Sequence, residues 1–318
     1  MSGSRFLVTG SSGFLGAWIT RELIDRKLDF VLFDLDPSLR RLEQLLQEPP
    51  SGLTIETGDI SDVDRVIDVC QQHEITHIIH LAALQVPFCR PDPLLGAKVN
   101  VLGTLAVFEA ARRLEHIQKI VYASSAAVIG PEEFYGGRRV LNDEPLMPAT
   151  HYGVFKQANE GAARVYHLDH GVNSIGLRPW TIYGLGRDQG VSSDVTEAIR
   201  AAVDGRPFTI RYSGRNAMQY ASDVSAAFML SALDDRKVQK NFNLRGDVVA
   251  MTDFVAQVES QIPEAKGLID ISGGPIPIAC DLDDSELRAF FPDLPRTPLA
   301  KGIAATIRDF RRGGDTER

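Results

Sequence analysis

The sequence is poor in cysteine, in tryptophan and in long uninterrupted apolar runs, and its charge is biased to one sign. Of 318 residues, three are cysteine and two are tryptophan. Cys70, Cys89 and Cys280 are odd in number and far apart, which excludes a disulfide framework and suits a reducing compartment. No apolar run reaches the roughly 20 residues a membrane-crossing helix needs, so no span is expected. Phe6-Leu7-Val8 already reads as a strand, which leaves no room ahead of it for a secretory leader. A cytoplasmic location is therefore expected. Basic residues are the minority, 34 Lys and Arg against 42 Asp and Glu, for a formal net charge of −8. That balance argues against a nucleic acid or an anionic membrane as main partner, and points instead to a small-molecule substrate. Internal repeats and low-complexity tracts are absent. What remains is an ordinary globular composition, in a chain long enough for one large domain or two unequal ones.

The most informative stretch is Gly10-Ser11-Ser12-Gly13-Phe14-Leu15-Gly16, which follows that first strand and opens an amphipathic helix. Strand, tight glycine turn and helix N-terminus together make an anion site, because unpaired N–H groups and the helix dipole both face the ligand. Gly10 serves the turn, Gly13 lets a pyrophosphate approach, and Gly16 lets helix and strand pack closely. Phe14 and Leu15 supply the first helical N–H groups. Val31-Leu32-Phe33 reads as the next buried strand, and Asp34 ends it, where an acid binds the adenosine ribose hydroxyls and repels a 2′-phosphate. The expected cofactor is therefore NAD rather than NADP.

Strand-like runs at Phe6–Val8, Val31–Phe33, Leu53–Glu56, His77–Leu81 and Lys119–Ala123 alternate with helix-period stretches at Ala17–Arg26, Leu39–Leu46, Val63–His73 and Leu102–Leu114. Such alternation predicts right-handed crossovers and an α/β fold with a doubly wound parallel sheet, its ligand-bearing strand ends on one edge. Asp59-Ile60, Leu81-Ala82-Ala83 and Asn100 fall on that edge and are candidate cofactor contacts. A long loop is expected over Pro131–Pro148, a helix over Tyr152–Leu168, and a strand at Ser174–Leu177 before Arg178-Pro179. Residues 1–179 and 217–245 are read as the dinucleotide-binding domain. Residues 180–216 and 246–311 are read as a smaller, discontinuous substrate domain, with 312–318 a loose tail.

His73-Glu74-Ile75-Thr76-His77 matches a zinc-protease spacing, with His80 nearby. That chemistry needs both histidines on successive turns of one helix. Here the span runs from a helix into a strand, where residues four apart are separated by about 13 Å. No metal is assigned. Cys89 lies in a loop near the expected cofactor edge, but no base is evident beside it, so no nucleophilic role is assigned.

Tyr152 and Lys156, four apart on a predicted helix, rise on one face. An ammonium beside a phenol favours the phenolate, which makes Tyr152 a candidate general acid–base near neutrality. Lys156 has donors left for a ribose. Ser125, after the fifth strand with Ser124 beside it, is placed to hold a substrate oxygen.

Taken together, Gly10-x-x-Gly13-x-x-Gly16, Asp34, Asp59-Ile60, Leu81-Ala82-Ala83, Asn100, Ser124-Ser125, Tyr152-x-x-x-Lys156 and Leu177-Arg178-Pro179 resemble the extended short-chain dehydrogenase/reductases. The most similar branch is the NAD-dependent epimerase/dehydratase family. The resemblance covers about residues 5–310, strongly over the first 180. It implies a Rossmann-type nucleotide half, with Pro179 also at the cofactor, and catalysis by Ser125, Tyr152 and Lys156. It further implies a homodimer through helices of the main domain. Substrate contacts are expected from Gln85, Ser125, Thr181 and Arg187.

The chain also departs from the family pattern. Ala126-Ala127 stand where dehydratases place an Asp-Glu pair, so dehydration is not expected. Ile129-Gly130 replaces the tyrosine-glycine of many sugar-nucleotide enzymes. Asn216-Ala217-Met218-Gln219-Tyr220 and Ser272-Gly273-Gly274-Pro275 lack the arginines that clamp a nucleotide diphosphate, although Arg215 is one position off. Arg187 is the better-placed anion binder, with an ion pair to Asp188 as its alternative. Two activities stay open. One is an oxidoreductase for a secondary hydroxyl of a sugar or sugar acid without a nucleotide handle; the other is a UDP-sugar 4-epimerase. A non-catalytic NAD-binding regulator is a third reading, weakened by the presence of both Tyr152 and Lys156.

Overall fold

Short apolar runs flanked by helices bury both faces of a parallel sheet. A computed structural model describes residues 3–46 and 51–315. Its strands in chain order are β1 Arg5–Thr9, β2 Asp29–Asp34, β3 Thr54–Thr57, β4 His77–His80, β5 Lys119–Ala123, β6 Ser174–Arg178, β7 Thr181–Tyr183, β8 Phe208–Ile210, β9 Arg215–Tyr220, β10 Gln239–Asn243, β11 Asp247–Ala250 and β12 Ile269–Ile271. Seven of them pair in the order β10-β6-β5-β4-β1-β2-β3, every pair parallel. The fold is the expected doubly wound α/β sheet. Strand order reverses between β1 and β4, and ligands of such sheets bind in the crevice beyond the carboxyl ends at that point.

Alternation along each strand divides the core in two. Phe6, Val8, Leu32, Ile79, Val121, Ile175 and Leu177 face helices Phe14–Asp25 and Ala221–Ala232. Leu7, Val31, Phe33, Ile78, Ile120 and Tyr122 face the other side, against helices Val63–Gln72 and Gly103–Arg113. Each such side chain is worth about 1.5–3 kcal/mol of burial, so the strand ends that bear the site are rigidly held.

The remaining strands form a three-strand sheet, β11-β9-β7, and a two-strand pair, β12-β8, around a third core that includes Tyr212, Met218, Phe254 and Ile303. β9 lies in this smaller region, although the sequence reading returns the chain to the main sheet from residue 217; helix Ala221–Ala232 and β10 do lie with the main sheet. Leu287, Phe291 and Leu294, read as part of the smaller domain, pack into the main core. Helix Leu299–Asp315 runs past residue 311, where a loose tail was expected to begin.

A continuous helical stretch spans 93–113, with a π-helical segment at Lys98–Leu102. By length and composition it is apolar enough to cross a membrane, contrary to the sequence reading. The sequence shows no uninterrupted apolar run because Lys98, Asn100, Thr104 and Glu109 divide it; Asn100 and Thr104 are buried and hydrogen-bonded inside the protein. It is a core helix packed on Val63–Gln72 and His151–His170.

One buried ion pair ties that last helix to the sheet. Arg178 donates to both carboxylate oxygens of Glu160, at 2.8 and 2.7 Å, and Ser124 Oγ donates to the same carboxylate. Breaking such a pair leaves an uncompensated buried charge, at a cost of about 3–5 kcal/mol. Arg178→Met is expected to lose that much in denaturant unfolding, and the double variant Glu160→Leu with Arg178→Met to lose less.

Candidate active site

The carboxyl ends of β1, β2, β3, β4, β5 and β6 lie along one cleft of about 860 Å³. Its first half is built by the glycine turn. Gly10 has φ +68°, and a Cβ there would sit 2.6 Å from the Ala82 nitrogen. At Gly16 a Cβ would meet the Gly10 carbonyl at 2.5 Å. Gly13, in extended conformation, precedes helix Phe14–Asp25 without any side-chain cap or acid in the first turn, which leaves the N–H groups at that end free for an anion. The turn hangs on β2: Gly10 N–H donates to the Phe33 carbonyl at 2.9 Å, and Ser12 N–H to Asp34 Oδ2 at 2.9 Å. A turn that only glycine fits, an open helix N-terminus and an acid at the next strand end suit a dinucleotide. Asp59, Ile60, Leu81, Ala82, Ala83 and Pro179 line the same cleft. Asp59 is held by Ser61 and Lys98.

The second half is built on helix His151–His170, whose N-cap Thr150 accepts from Gly153 N–H. Tyr152 and Lys156 rise from it into the cleft, beside Ser125 from the turn after β5. Lys156 is almost wholly buried; its Nζ donates to the Ala123 carbonyl at 2.6 Å and lies 5.6 Å from the centre of the Tyr152 ring. Burial lowers the Lys156 pKa to about 8. Burial also raises the Tyr152 phenol above its usual value, while the Ser125 hydroxyl and the Arg187 charge pull it back down. The Lys156 ammonium is turned onto the Ala123 carbonyl, and Ser125 and Arg187 are further neighbours that favour the phenolate.

Gln85 and Arg187 also line the cleft, whereas two expected residues do not. Asn100 is fully buried and grips the backbone of Leu84 through both ends of its carboxamide, at 2.7 and 2.8 Å. It shapes the loop behind the crevice and is not among the residues that line it. Thr181 is fully buried in β7 and does not line the cleft, whereas its neighbours Trp180 and Ile182 do, as the alternation along a strand requires. Arg215 is outside the lining and faces Glu132 at 3.7 Å. Asp188 pairs with Arg40 and Arg41, at 2.7 and 2.6 Å, rather than with Arg187. Sequence reasoning missed Arg41, Trp180, Tyr212, Ile276 and Ile278, all of which line the cleft. Nothing local marks them: Arg41 reaches the cleft from helix Arg40–Leu46 after β2, and the others arrive because the smaller region folds back over the sheet edge.

The histidines are dispersed. His73 follows its helix and contacts Glu56, His77 opens β4, and His80 is buried between Thr9 and Thr104 with its pKa lowered to about 3 by desolvation and by the Lys156 charge. Among the described residues no group of His, Cys, Asp and Glu is arranged to hold a metal. Cys89 is buried against the Leu84 carbonyl, and burial raises its thiol pKa.

A sequence model of the NAD-dependent epimerase/dehydratase family matches residues 6–244. The chain belongs to that family. Its cofactor is NAD. Among curated relatives of this epimerase/dehydratase-family enzyme, an uncharacterised protein of Methanocaldococcus jannaschii is 35% identical over 58% of the chain and 58% of its own length. UDP-glucuronate 4-epimerase 1 of Arabidopsis thaliana is 30% identical over 70% of the chain and 52% of its own length, so these matches span little more than half of either relative. UDP-glucose 4-epimerase of Mycolicibacterium smegmatis is 30% identical over 96% of the chain and 98% of its own length. Among solved structures, the UDP-glucose 4-epimerase of Thermus thermophilus in complex with NAD superposes with a TM-score of 0.82 at 26% identity, covering 96% of this chain and 99% of that one.

The Lys156 environment has a measurable consequence. A lysine whose pKa falls from 10.5 to about 8 on folding leaves the unfolded chain holding more protons between those values, so stability rises with pH across that window. Compared with Lys156→Met in denaturant titrations, the wild type is expected to gain stability from pH 8 to pH 10. An unchanged difference would contradict the buried, desolvated ammonium.

Proposed function

We propose that this enzyme transfers a hydride between NAD and a secondary hydroxyl of a sugar or sugar-acid substrate that has no nucleotide handle. The observation behind the reading is the meeting of Ser125, Tyr152 and Lys156 in the same cleft as the Gly10–Gly16 turn. When bound, NAD supplies the hydride acceptor or donor. Tyr152 takes the proton from the substrate hydroxyl, Ser125 holds its oxygen, and Lys156, steadied by the Ala123 carbonyl, keeps donors for the ribose. Asp34 would hold the adenosine ribose, and Phe14 and Leu15 the pyrophosphate. Ala126 and Ala127, both buried, offer no acid for elimination of water. The absence of a nucleotide handle is supported by Arg215, which lies off the cleft; Arg211 lines it, with Nη2 and Nε paired to Asp194 at 2.6 and 2.9 Å.

The near full-length similarity to a UDP-glucose 4-epimerase favours a second reading, a UDP-sugar 4-epimerase that keeps its NAD. We also place a homodimer within the proposal, on exposed Leu94, Leu102, Val154 and Leu168 of the two long helices.

Incubation with NAD and a panel of sugars and sugar acids is expected to accumulate NADH, read by absorbance. Tyr152→Phe should lower turnover by about 10²–10⁴-fold, the usual worth of a general acid–base, with NAD affinity nearly unchanged. NAD retained through purification, no net NADH and a rise in melting temperature with UDP-sugars would favour the epimerase instead.

A further inference from the structure

Two polar atoms of residues that line the cleft, Arg187 Nε and the Tyr212 hydroxyl, have no hydrogen-bond partner among the described residues. Arg187 lies in the loop after β7, which Trp18 fixes by donating its ring N–H to the Leu185 carbonyl at 3.0 Å. The acid beside it, Asp188, is turned away onto Arg40 and Arg41. What remains for the Arg187 guanidinium is one hydrogen bond to Ser192 Oγ at 3.2 Å and the face of Phe14, 5.5 Å from its centre. Its Nε is buried without a partner among the described residues. The Tyr212 hydroxyl is likewise buried and unpartnered, and Tyr212 lines the same cleft.

The nearby acid, Asp188, is shared with Arg40 and Arg41, so the buried Arg187 cation is only partly compensated, which is costly, and an unpaired buried hydroxyl adds to that cost. A guanidinium only donates, the Tyr212 hydroxyl has a proton to donate, and neither Arg187 Nε nor that hydroxyl is satisfied by the other. A ligand that relieves both must be rich in acceptor lone pairs and negatively charged. The planar fork of arginine matches a carboxylate with two parallel bonds. Arg187 also acts on the reactive centre, since its charge is among the influences that lower the Tyr152 pKa.

We propose that Arg187 and Tyr212 form a carboxylate subsite, so that the substrate is a hydroxy acid whose carboxylate is held there while a secondary hydroxyl faces Tyr152 and Ser125. The inference rests on the hydride-transfer reading and narrows its substrate class. A phosphate could satisfy the same donors, and the pyrophosphate of NAD is the other available anion. The open N-terminus of helix Phe14–Asp25 would serve that pyrophosphate, and Tyr212 belongs to the smaller region, so the substrate is the favoured source.

The test uses NAD-loaded protein and calorimetric titration with D-gluconate, D-galactonate, D-glucuronate and D-galacturonate, the methyl esters of the two uronates, and inorganic phosphate. At least one carboxylate is expected to bind, and a uronate to bind at least about tenfold more tightly than its uncharged ester. Arg187→Met should weaken carboxylate binding by about 100-fold, Arg187→Lys less, and Tyr212→Phe by about tenfold. Affinity for NAD should move less than about threefold in each, since its anion is held elsewhere.

Equal affinity for acid and ester on the wild type overturns the proposal whether or not the variants fold. So does the absence of binding by all four carboxylates, or a loss of NAD affinity in Arg187→Met as large as the loss for the carboxylate. NADH formation is followed separately. A carboxylate that binds at Arg187 without yielding NADH refutes the hydride-transfer reading and leaves the subsite standing. NADH from uncharged sugars alone does the reverse.

Discussion

The structure depends on how closely the turn at Gly10 approaches the end of β4. Side chains are excluded on both sides of that turn, by Ala82 on one and by the start of helix Phe14–Asp25 on the other. The result is a helix N-terminus aimed along the reversal point of a parallel sheet, with its first N–H groups uncapped. All other site elements take their positions from that approach. β2 brings Asp34 against Ser12, β4 brings the small residues 81–83 to form the floor, and β5 brings Ser125 to the same edge.

The opposite wall is held by buried polar groups rather than by glycine. Helix His151–His170 bears Tyr152 and Lys156 near its start and Glu160 two turns after Tyr152. Glu160 is locked to Arg178 of β6 and to Ser124, the residue before Ser125. On its other flank, Asn159 donates to the Asn100 carbonyl and to Thr104, and Thr104 meets His80 of β4. A buried histidine with its pKa lowered to about 3 is a neutral hydrogen-bonding strut on β4, and its partners are Thr9 of β1 and Thr104 of helix Gly103–Arg113. Position at the reactive centre is therefore over-determined from several elements, as catalysis by placement requires.

Much of this was legible in the chain, for physical reasons. Parallel strands buried on both faces read as apolar runs, and β5 agrees with its expected range residue for residue. Other ends shift by a few residues: the helix at Phe14 starts at the glycine turn and the one at His151 is set by the Thr150 cap, neither of which periodicity marks. Segments Val86–Cys89 and 93–102 were missed, since Pro87, Pro93 and Gly96 mimic loop signals and the backbone there passes through a π-helical segment. The nucleotide half of the site is local in sequence and could be read from spacing. Asn100 was misplaced because a buried carboxamide gripping Leu84 looks, in sequence, like one reaching a ligand. Thr181 was misplaced because alternation along β7 turns Trp180 and Ile182, and not Thr181, toward the cleft. Tyr212, Ile276 and Ile278 depend on the smaller region folding back, a long-range event that no local pattern encodes.

The central claim is that one cleft presents the nucleotide turn and the Ser125–Tyr152–Lys156 group to the same bound cofactor. A crystal structure of the protein with NAD tests this most directly. The account predicts the pyrophosphate on the N–H groups of Phe14 and Leu15, Lys156 within hydrogen-bond distance of the nicotinamide ribose, and the Tyr152 hydroxyl facing the reactive carbon of the ring. A nicotinamide lying away from Tyr152, or a pyrophosphate held by Arg187 in place of the helix N-terminus, would contradict it.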